Sequence, residues 1–129
     1  IHGSIFNNCT ISLNNNSLTS SNCIFNNCTI NSNTQFLPEL MKKDITFNNC
    51  SIVTYTGQTL VYYHSKMIFE KCKIHIKSNS SESINMWQSS NTEDWIFKEC
   101  NFISDIPITI EGKIVNCTKN GNVTFSILY

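Results

Sequence analysis

Arginine and alanine are absent from the 129 residues of this sequence, and charged residues make up only 14% of it. The nine lysines balance the nine acidic residues, which leaves a formal net charge of zero. Nucleic acids and anionic membranes attract proteins through clusters of positive charge, so neither is an expected partner. No apolar run approaches the roughly 18 residues of a membrane-spanning helix, and no signal-peptide pattern is present. We therefore expect no membrane insertion.

A six-residue motif recurs along most of the chain. It consists of phenylalanine, two polar residues, cysteine, one variable residue and isoleucine. The copies are F-N-N-C-T-I at 6–11 and 25–30, F-N-N-C-S-I at 47–52, F-E-K-C-K-I at 69–74, F-K-E-C-N-F at 97–102 and, most weakly, I-V-N-C-T-K at 114–119. Their cysteines follow one another at intervals of 19, 22, 22, 28 and 17 residues. A repeat of about 20 residues is typical of a solenoid in which each repeat forms one coil.

The motif predicts two short strands separated by a bend. Apolar residues alternate up to the phenylalanine and again from the cysteine onward, as in strands with one buried face. The three-residue step from phenylalanine to cysteine breaks this alternation, and Asn-Asn suits a bend because asparagine tolerates left-handed backbone. Apolar clusters between the motifs, such as Ile108 with Ile110, indicate a third strand, and we expect turns at Gly112 and Asn120-Gly121.

These features together predict an all-β fold, a parallel β-helix of about six coils with 17 to 28 residues each. We expect a single domain over residues 1–129. Because the chain begins at Ile1 and enters a motif almost at once, we expect it to be a processed chain or a fragment of a longer protein.

Stacked coils would bring equivalent residues to about 4.8 Å from one another and so create interior columns. The first two columns would be core and contain Phe6, Phe25, Phe47, Phe69 and Phe97, and Ile11, Ile30, Ile52, Ile74 and Phe102. The third would contain the motif cysteines, Cys9, Cys28, Cys50, Cys72, Cys100 and Cys117.

The cysteine column has two interpretations. Neighbours about 5 Å apart lie within disulfide range, so Cys9–Cys28, Cys50–Cys72 and Cys100–Cys117 could pair in an oxidising compartment. Alternatively, they are reduced, buried thiols that behave as small apolar residues. Zinc sites need closely paired cysteines, which these spacings do not provide, and no metal or other cofactor is expected. The seventh cysteine, Cys23, belongs to a different column, with Ser4 and Ile45.

Seven Asn-x-Ser/Thr sequences are candidate N-glycosylation sites. They are at Asn8, Asn15, Asn27, Asn49, Asn79, Asn116 and Asn122. Four of them occupy the same motif position, immediately before a cysteine, and would form a row along one exposed edge. The alternative is an unmodified asparagine ladder that forms hydrogen bonds from coil to coil.

Candidates for catalysis or ligand binding are few. The three histidines are scattered, and His75 is expected to face outward between Ile74 and Ile76. No catalytic residues are predicted. Aromatic side chains stack on sugars, which makes Trp87 a candidate for sugar binding, whereas Trp95 stands at a core position of its motif copy.

The repeated F-N-N-C-x-I units, which involve nearly the whole chain, resemble the right-handed parallel β-helix (pectate-lyase-like) superfamily. They are most similar in style to repeat-rich surface and adhesin-type members. The resemblance implies a right-handed coil. Enzymes of that superfamily use calcium-binding acids with an arginine, or several aspartates on neighbouring strands. This chain has no arginine, and Asp44, Asp94 and Asp105 stand at unlike motif positions, so we expect no enzymatic activity.

The leading hypothesis is a non-enzymatic, structural β-helical rod of an extracellular or cell- or particle-surface assembly. It would be N-glycosylated. Copies could associate end to end and form fibres, because uncapped coils present open strand edges. A carbohydrate-binding or carbohydrate-processing β-helix is one alternative, with glycans as partners. A structural component of a large virus particle, with reduced cysteines, is another.

Overall fold

A computed structural model describes residues 3–13, 22–32, 45–55, 67–77, 86–87 and 95–127. All regular secondary structure within these ranges is β-strand. The strands are β1 (Ile5–Asn7), β2 (Thr10–Leu13), β3 (Cys23–Asn26), β4 (Thr29–Ser32), β5 (Ile45–Asn48), β6 (Ser51–Tyr55), β7 (Met67–Glu70), β8 (Lys73–Lys77), β9 (Met86–Trp87), β10 (Trp95–Lys98), β11 (Asn101–Ser104), β12 (Ile108–Val115), β13 (Thr118–Lys119) and β14 (Val123–Ile127).

In the described part of the chain these strands form two parallel sheets. One sheet has the order β1-β3-β5-β7-β10-β12-β14, with β9 paired to β12, and the other has the order β13-β11-β8-β6-β4-β2. The two strands of each motif copy therefore lie in different sheets, and each strand pairs with its counterpart in the next copy. The predicted all-β architecture with parallel sheets is confirmed, and this arrangement is compatible with a parallel β-solenoid.

The sheet register places like residues of successive motif copies beside one another. Phe25 pairs with Phe6 on one side and with Phe47 on the other, and Phe69 continues the row to Phe97. Their rings are stacked at centroid distances of 4.9 to 5.1 Å and interplanar angles of 8 to 14°. The predicted phenylalanine column is therefore confirmed.

The isoleucine column is also present, with its members paired from Ile11 to Phe102. Ile30, Ile52, Ile74 and Phe102 are fully buried, whereas Ile11 at the edge of the sheet is partly buried. A further interior column consists of Cys23, Ile45, Met67 and Trp95. Trp95 has no exposed surface, which confirms its expected place in the core. The buried columns are the hydrophobic core that holds the two sheets together.

The predicted bend is a single residue in the left-handed region, immediately before each motif cysteine. Positive φ angles between 51 and 57° occur at Asn8, Asn27, Asn49, Lys71, Glu99 and Asn116. The bends also stack, because Asn27 N donates to Asn48 O at 2.9 Å and Thr29 N donates to Cys9 O at 2.8 Å. Asparagine adopts this conformation more readily than other non-glycine residues, which explains its recurrence before cysteine.

The expected turn at Gly112 is wrong. Gly112 is buried inside β12, whose first five residues pair with β14 and whose last three pair with β10. A Cβ atom on Gly112 would lie 2.9 Å from Trp95 O and 3.1 Å from the Phe97 ring, so only glycine fits without displacement. The expected turn at Asn120-Gly121 is confirmed, with Val123 N donating to Asn120 O at 3.2 Å.

Replacing Lys71 with asparagine should stabilise the protein by about 0.5–1 kcal/mol, because asparagine tolerates the left-handed bend better than lysine. Urea unfolding of the wild type and Lys71→Asn would measure the difference. Lys73→Asn makes the same chemical change at an exposed position of strand β8 and should be neutral or slightly destabilising. Equal effects at both positions would contradict the explanation from backbone conformation.

Gly112→Ala should destabilise the protein by about 1–3 kcal/mol, because the added methyl group meets backbone and a packed ring. Gly121→Ala is the control, since no atom lies within 4 Å of the position of its Cβ, and its effect should stay within about 0.5 kcal/mol. Thermal and urea unfolding of both variants would test the close approach at Gly112.

Candidate functional site: the cysteine and asparagine ladders

The six motif cysteines lie one above another directly after the left-handed bends. Backbone hydrogen bonds connect neighbouring rungs, for example from Lys73 N to Cys50 O at 2.9 Å and from Asn101 N to Cys72 O at 2.9 Å. Cys28, Cys50, Cys72 and Cys100 are at most 2% exposed, whereas Cys9 and Cys117 at the two ends are partly buried. We call this row the cysteine ladder. Cys23 is not part of it and lies opposite Ile45, as expected.

Each thiol of the ladder after Cys9 lies within hydrogen-bonding distance of the carbonyl of a motif phenylalanine. The donors and acceptors are Cys28 to Phe6, Cys50 to Phe25, Cys72 to Phe47, Cys100 to Phe69 and Cys117 to Phe97, at 3.3 to 3.4 Å. The thiol also approaches the carbonyl two residues before it, as between Cys50 and Asn48 at 3.4 Å. The cysteine thiol is therefore a weak hydrogen-bond donor to buried backbone carbonyl oxygens, which a purely apolar side chain could not be.

Burial and neighbouring thiols shift the pKa values along the ladder in different directions. Burial raises the pKa of the Cys28 thiol. The neighbouring Cys100 and Cys50 thiols, together with burial, raise the pKa of Cys72. At Cys100, the neighbouring Cys117 and Cys72 thiols lower the pKa, and burial opposes this shift.

The six ladder cysteines are free thiols in the structure. The disulfide pairs Cys9–Cys28, Cys50–Cys72 and Cys100–Cys117 stay a prediction. A disulfide would remove both S–H donors of a pair and with them the bonds to the phenylalanine carbonyls. The arrangement is chemically suited to buried thiols that pack and donate hydrogen bonds.

Two asparagine ladders run along the outside of the same bends. In the first, Asn26 Nδ2 donates to Asn7 Oδ1 at 3.0 Å, and Asn48 Nδ2 donates to Asn26 Oδ1 at 2.9 Å. In the second, Asn49 Nδ2 donates to Asn27 Oδ1 at 2.7 Å. The sequence predicts a ladder only at the second position. The signal for the first was present, because Asn7, Asn26 and Asn48 also recur at one motif position.

The four bend asparagines of the predicted glycosylation row, Asn8, Asn27, Asn49 and Asn116, are exposed. Asn122 is also exposed, and its Nδ2 donates to Ser104 O at 3.1 Å. Asn15 and Asn79 lie outside the described residues. N-glycosylation of any of these residues stays a prediction.

The glycosylation row and the second asparagine ladder use the same atoms. A glycan on Asn49 would be attached to the Nδ2 atom that donates to Asn27. That nitrogen keeps one hydrogen after attachment, so a glycan and a ladder bond are chemically compatible. Neighbouring rungs are only about 4.8 Å apart, which leaves little room for branched glycans on adjacent bends.

The structure pairs His75 with Asp105, a contact that the sequence does not predict. His75 Nε2 lies 3.0 Å from Asp105 Oδ1, and both side chains are accessible to solvent. The expected outward orientation of His75 is confirmed. Its partner could not be found from spacing, because the two residues are 30 positions apart and meet only where β8 lies beside β11.

The remaining candidate sites concern metal ions, sugars and membranes. Among the described residues no group of three or more histidine, cysteine, aspartate or glutamate side chains could hold a metal ion. The backbone of Trp87 lies in β9 beside Ile110, but its side chain lies outside the described part, and its role in sugar binding stays a prediction. In the part of the chain that the structure describes, no helix is long and apolar enough to span a membrane.

Comparisons with protein-family models, curated proteins and solved structures give no match to this chain. Any inference about its function must therefore come from the sequence and structure of this chain.

In the folded protein, Cys9 and Cys117 should react with a maleimide faster than the four inner ladder cysteines by at least about a hundredfold, because buried thiols react only after local unfolding. Peptide mapping after timed labelling would measure each rate, and labelling in guanidinium chloride is the control in which all rates converge. Equal rates at Cys9 and Cys50 in the folded protein would contradict the observed burial.

Proposed function

We propose that this chain is a non-enzymatic, structural β-helical rod, a right-handed parallel β-helix of about six coils. The observation that carries the proposal is the stacking of like residues in register through the interior, at phenylalanine, isoleucine and cysteine positions alike. The repeated residues contribute to packing rather than to an open site. A right-handed coil agrees with the handedness of nearly all parallel β-crossovers.

The proposed setting is an extracellular or a cell- or particle-surface assembly with N-glycans on the bend row. Support comes from the exposure of Asn8, Asn27, Asn49 and Asn116, each in the left-handed conformation at a projecting bend. Glycans on some bends of this row would coat one edge of the rod and leave the other faces available for neighbouring copies. The proposed partners are copies of the same chain, associated end to end, and glycans.

A second candidate is a structural component of a large virus particle, assembled where thiols stay reduced. One observation favours it. The ladder thiols donate hydrogen bonds to carbonyl oxygens, which disulfides would abolish.

The mass of the native protein distinguishes these two candidates. Protein from its native source would be alkylated without reduction and weighed intact, before and after treatment with an N-glycan-releasing enzyme. Heterogeneous excess mass that the enzyme removes is expected for the surface glycoprotein, and peptide mapping would locate it at the bend asparagines. Unmodified polypeptide mass with seven alkylated cysteines would contradict that setting and support the particle component.

A further inference from the structure

The outer face of the first sheet has a row of mostly apolar side chains. β3, β7 and β10 each have an isoleucine between two buried residues, at Ile24, Ile68 and Ile96, and β5 has Thr46 at the same position. Ile24 is 36% exposed, and the other three residues are partly exposed. Each of these strands has a partner strand on both sides, so the exposure is not an effect of an unpaired edge. We call these four residues the outer isoleucine row.

The strands of the first sheet have the apolar sequence of a sheet that is covered on both faces. Parallel sheets of that kind have strands with nearly continuous apolar runs rather than alternation. Three strands begin in this way, with C-I-F at 23–25, M-I-F at 67–69 and W-I-F at 95–97. One face of these strands packs in the core. The apolar row on the other face therefore indicates that a further layer covers it.

The second sheet has no comparable row in the described part of the chain. The residues that follow the motif cysteines form one outward row, and all of them are polar: Thr10, Thr29, Ser51, Lys73, Asn101 and Thr118. In the next outward row, Val53 and Ile103 are separated by His75, which contacts Asp105. Within the described residues, the apolar row is therefore specific to the first sheet.

Two opposite charges lie beside the outer isoleucine row. Glu70 and Lys98 pair in register on β7 and β10, two residues after Ile68 and Ile96, and both are exposed. A carboxylate and an ammonium group therefore occupy neighbouring rungs of the same face. A second copy of this face, with the order of its rungs reversed, would present an ammonium group to each carboxylate.

We propose that the outer isoleucine row is a lateral docking surface for a second copy of this chain, with a two-fold axis parallel to the strands and between β7 and β10. This axis reverses the order of the rungs. Ile68 of each copy would face Ile96 of the other, and Glu70 of each copy would face Lys98 of the other. The proposal rests on the structural role proposed above, and it adds a lateral contact to the end-to-end association.

The charges favour this arrangement over the other two-fold packing of the same faces. An axis along the stack would bring equal rungs together, so that β7 faces β7. Glu70 could not meet Lys98 across that contact, because the two residues lie in different rungs. In the reversed order each carboxylate would lie between two ammonium groups, one from its own chain and one from the partner. Electrostatic complementarity of this kind fixes the register of an interface.

The size of the contact predicts a weak dimer. In the reversed order, four rungs of each copy overlap, from β5 to β12. Four rungs of four residues cover roughly 19 by 13 Å, which is less than the area of a standard stable interface. We therefore expect a dissociation constant of about 0.1–1 mM, which suits an assembly in which copies are held close together.

Charge reversal tests the pairing between copies. Sedimentation equilibrium under reducing conditions, at up to about 1 mM chain, should show monomers and dimers of the wild type. Glu70→Lys and Lys98→Glu should each weaken the dissociation constant at least about fivefold, because like charges then meet across the contact. A mixture of the two variants should form a heterodimer of wild-type affinity, since every contact between copies again joins opposite charges. Repulsion within each chain persists in the mixture, so only a contact between copies explains the recovery.

Two controls lie on the outer face of the second sheet. Lys73→Glu reverses an exposed charge there and should change the dissociation constant less than about twofold. Ile68→Thr keeps a β-branched residue, as Thr46 does in the same row, and should weaken the dimer at least about threefold, whereas Val53→Thr should not. A wild type that stays monomeric, a mixture without recovery, or equal effects of Ile68→Thr and Val53→Thr would overturn the proposal.

Cross-linking tests the reversed order of the rungs. Thr46→Cys and Lys113→Cys would be made in a Cys9→Ser/Cys117→Ser background, whose remaining native cysteines are buried, and mixed with a short bismaleimide. Position 46 of one copy would face position 113 of the other, so linked dimers should require both variants. Linked dimers of Thr46→Cys alone, or none in the mixture, would contradict the arrangement. Absence of N-glycans in the native protein would contradict the surface-glycoprotein setting without affecting any of these results.

Discussion

Each motif copy stacks on the previous copy without a shift in register, and the other features of the structure follow from this arrangement. A residue type at one motif position lies against the same type in the next copy, so phenylalanine stacks on phenylalanine and asparagine donates to asparagine. The register itself depends on the left-handed residue before each cysteine, which turns the chain from one sheet to the other at the same point in every copy. A one-residue slip in the pairing of a strand would place its buried side chains on the outer face. The alternation of apolar and polar residues therefore specifies the register.

The cysteine ladder illustrates how a repeated position can serve packing and polar interactions together. Cysteine is small enough to fit after the bend, apolar enough for burial, and able to donate to the carbonyl of the stacked phenylalanine. The asparagine ladders have the same character on the outside, where side-chain amides connect one rung to the next. The motif is therefore best understood as a set of stacking interactions, in agreement with the proposed structural role.

The sequence by itself determined the local pattern: the strands, the bend before each cysteine, and the phenylalanine, isoleucine and cysteine columns. It could do so because each strand pairs with the same strand of a neighbouring motif copy. Residues that contact one another across the sheet therefore occupy the same position in the repeat. Only the tertiary structure decided contacts between unlike positions. It placed Gly112 against Trp95 within a strand rather than in a turn, brought His75 to Asp105, and set the Lys119 ammonium group over Phe125. Such contacts depend on coil length and side-chain size in three dimensions, and no periodicity in the sequence encodes them.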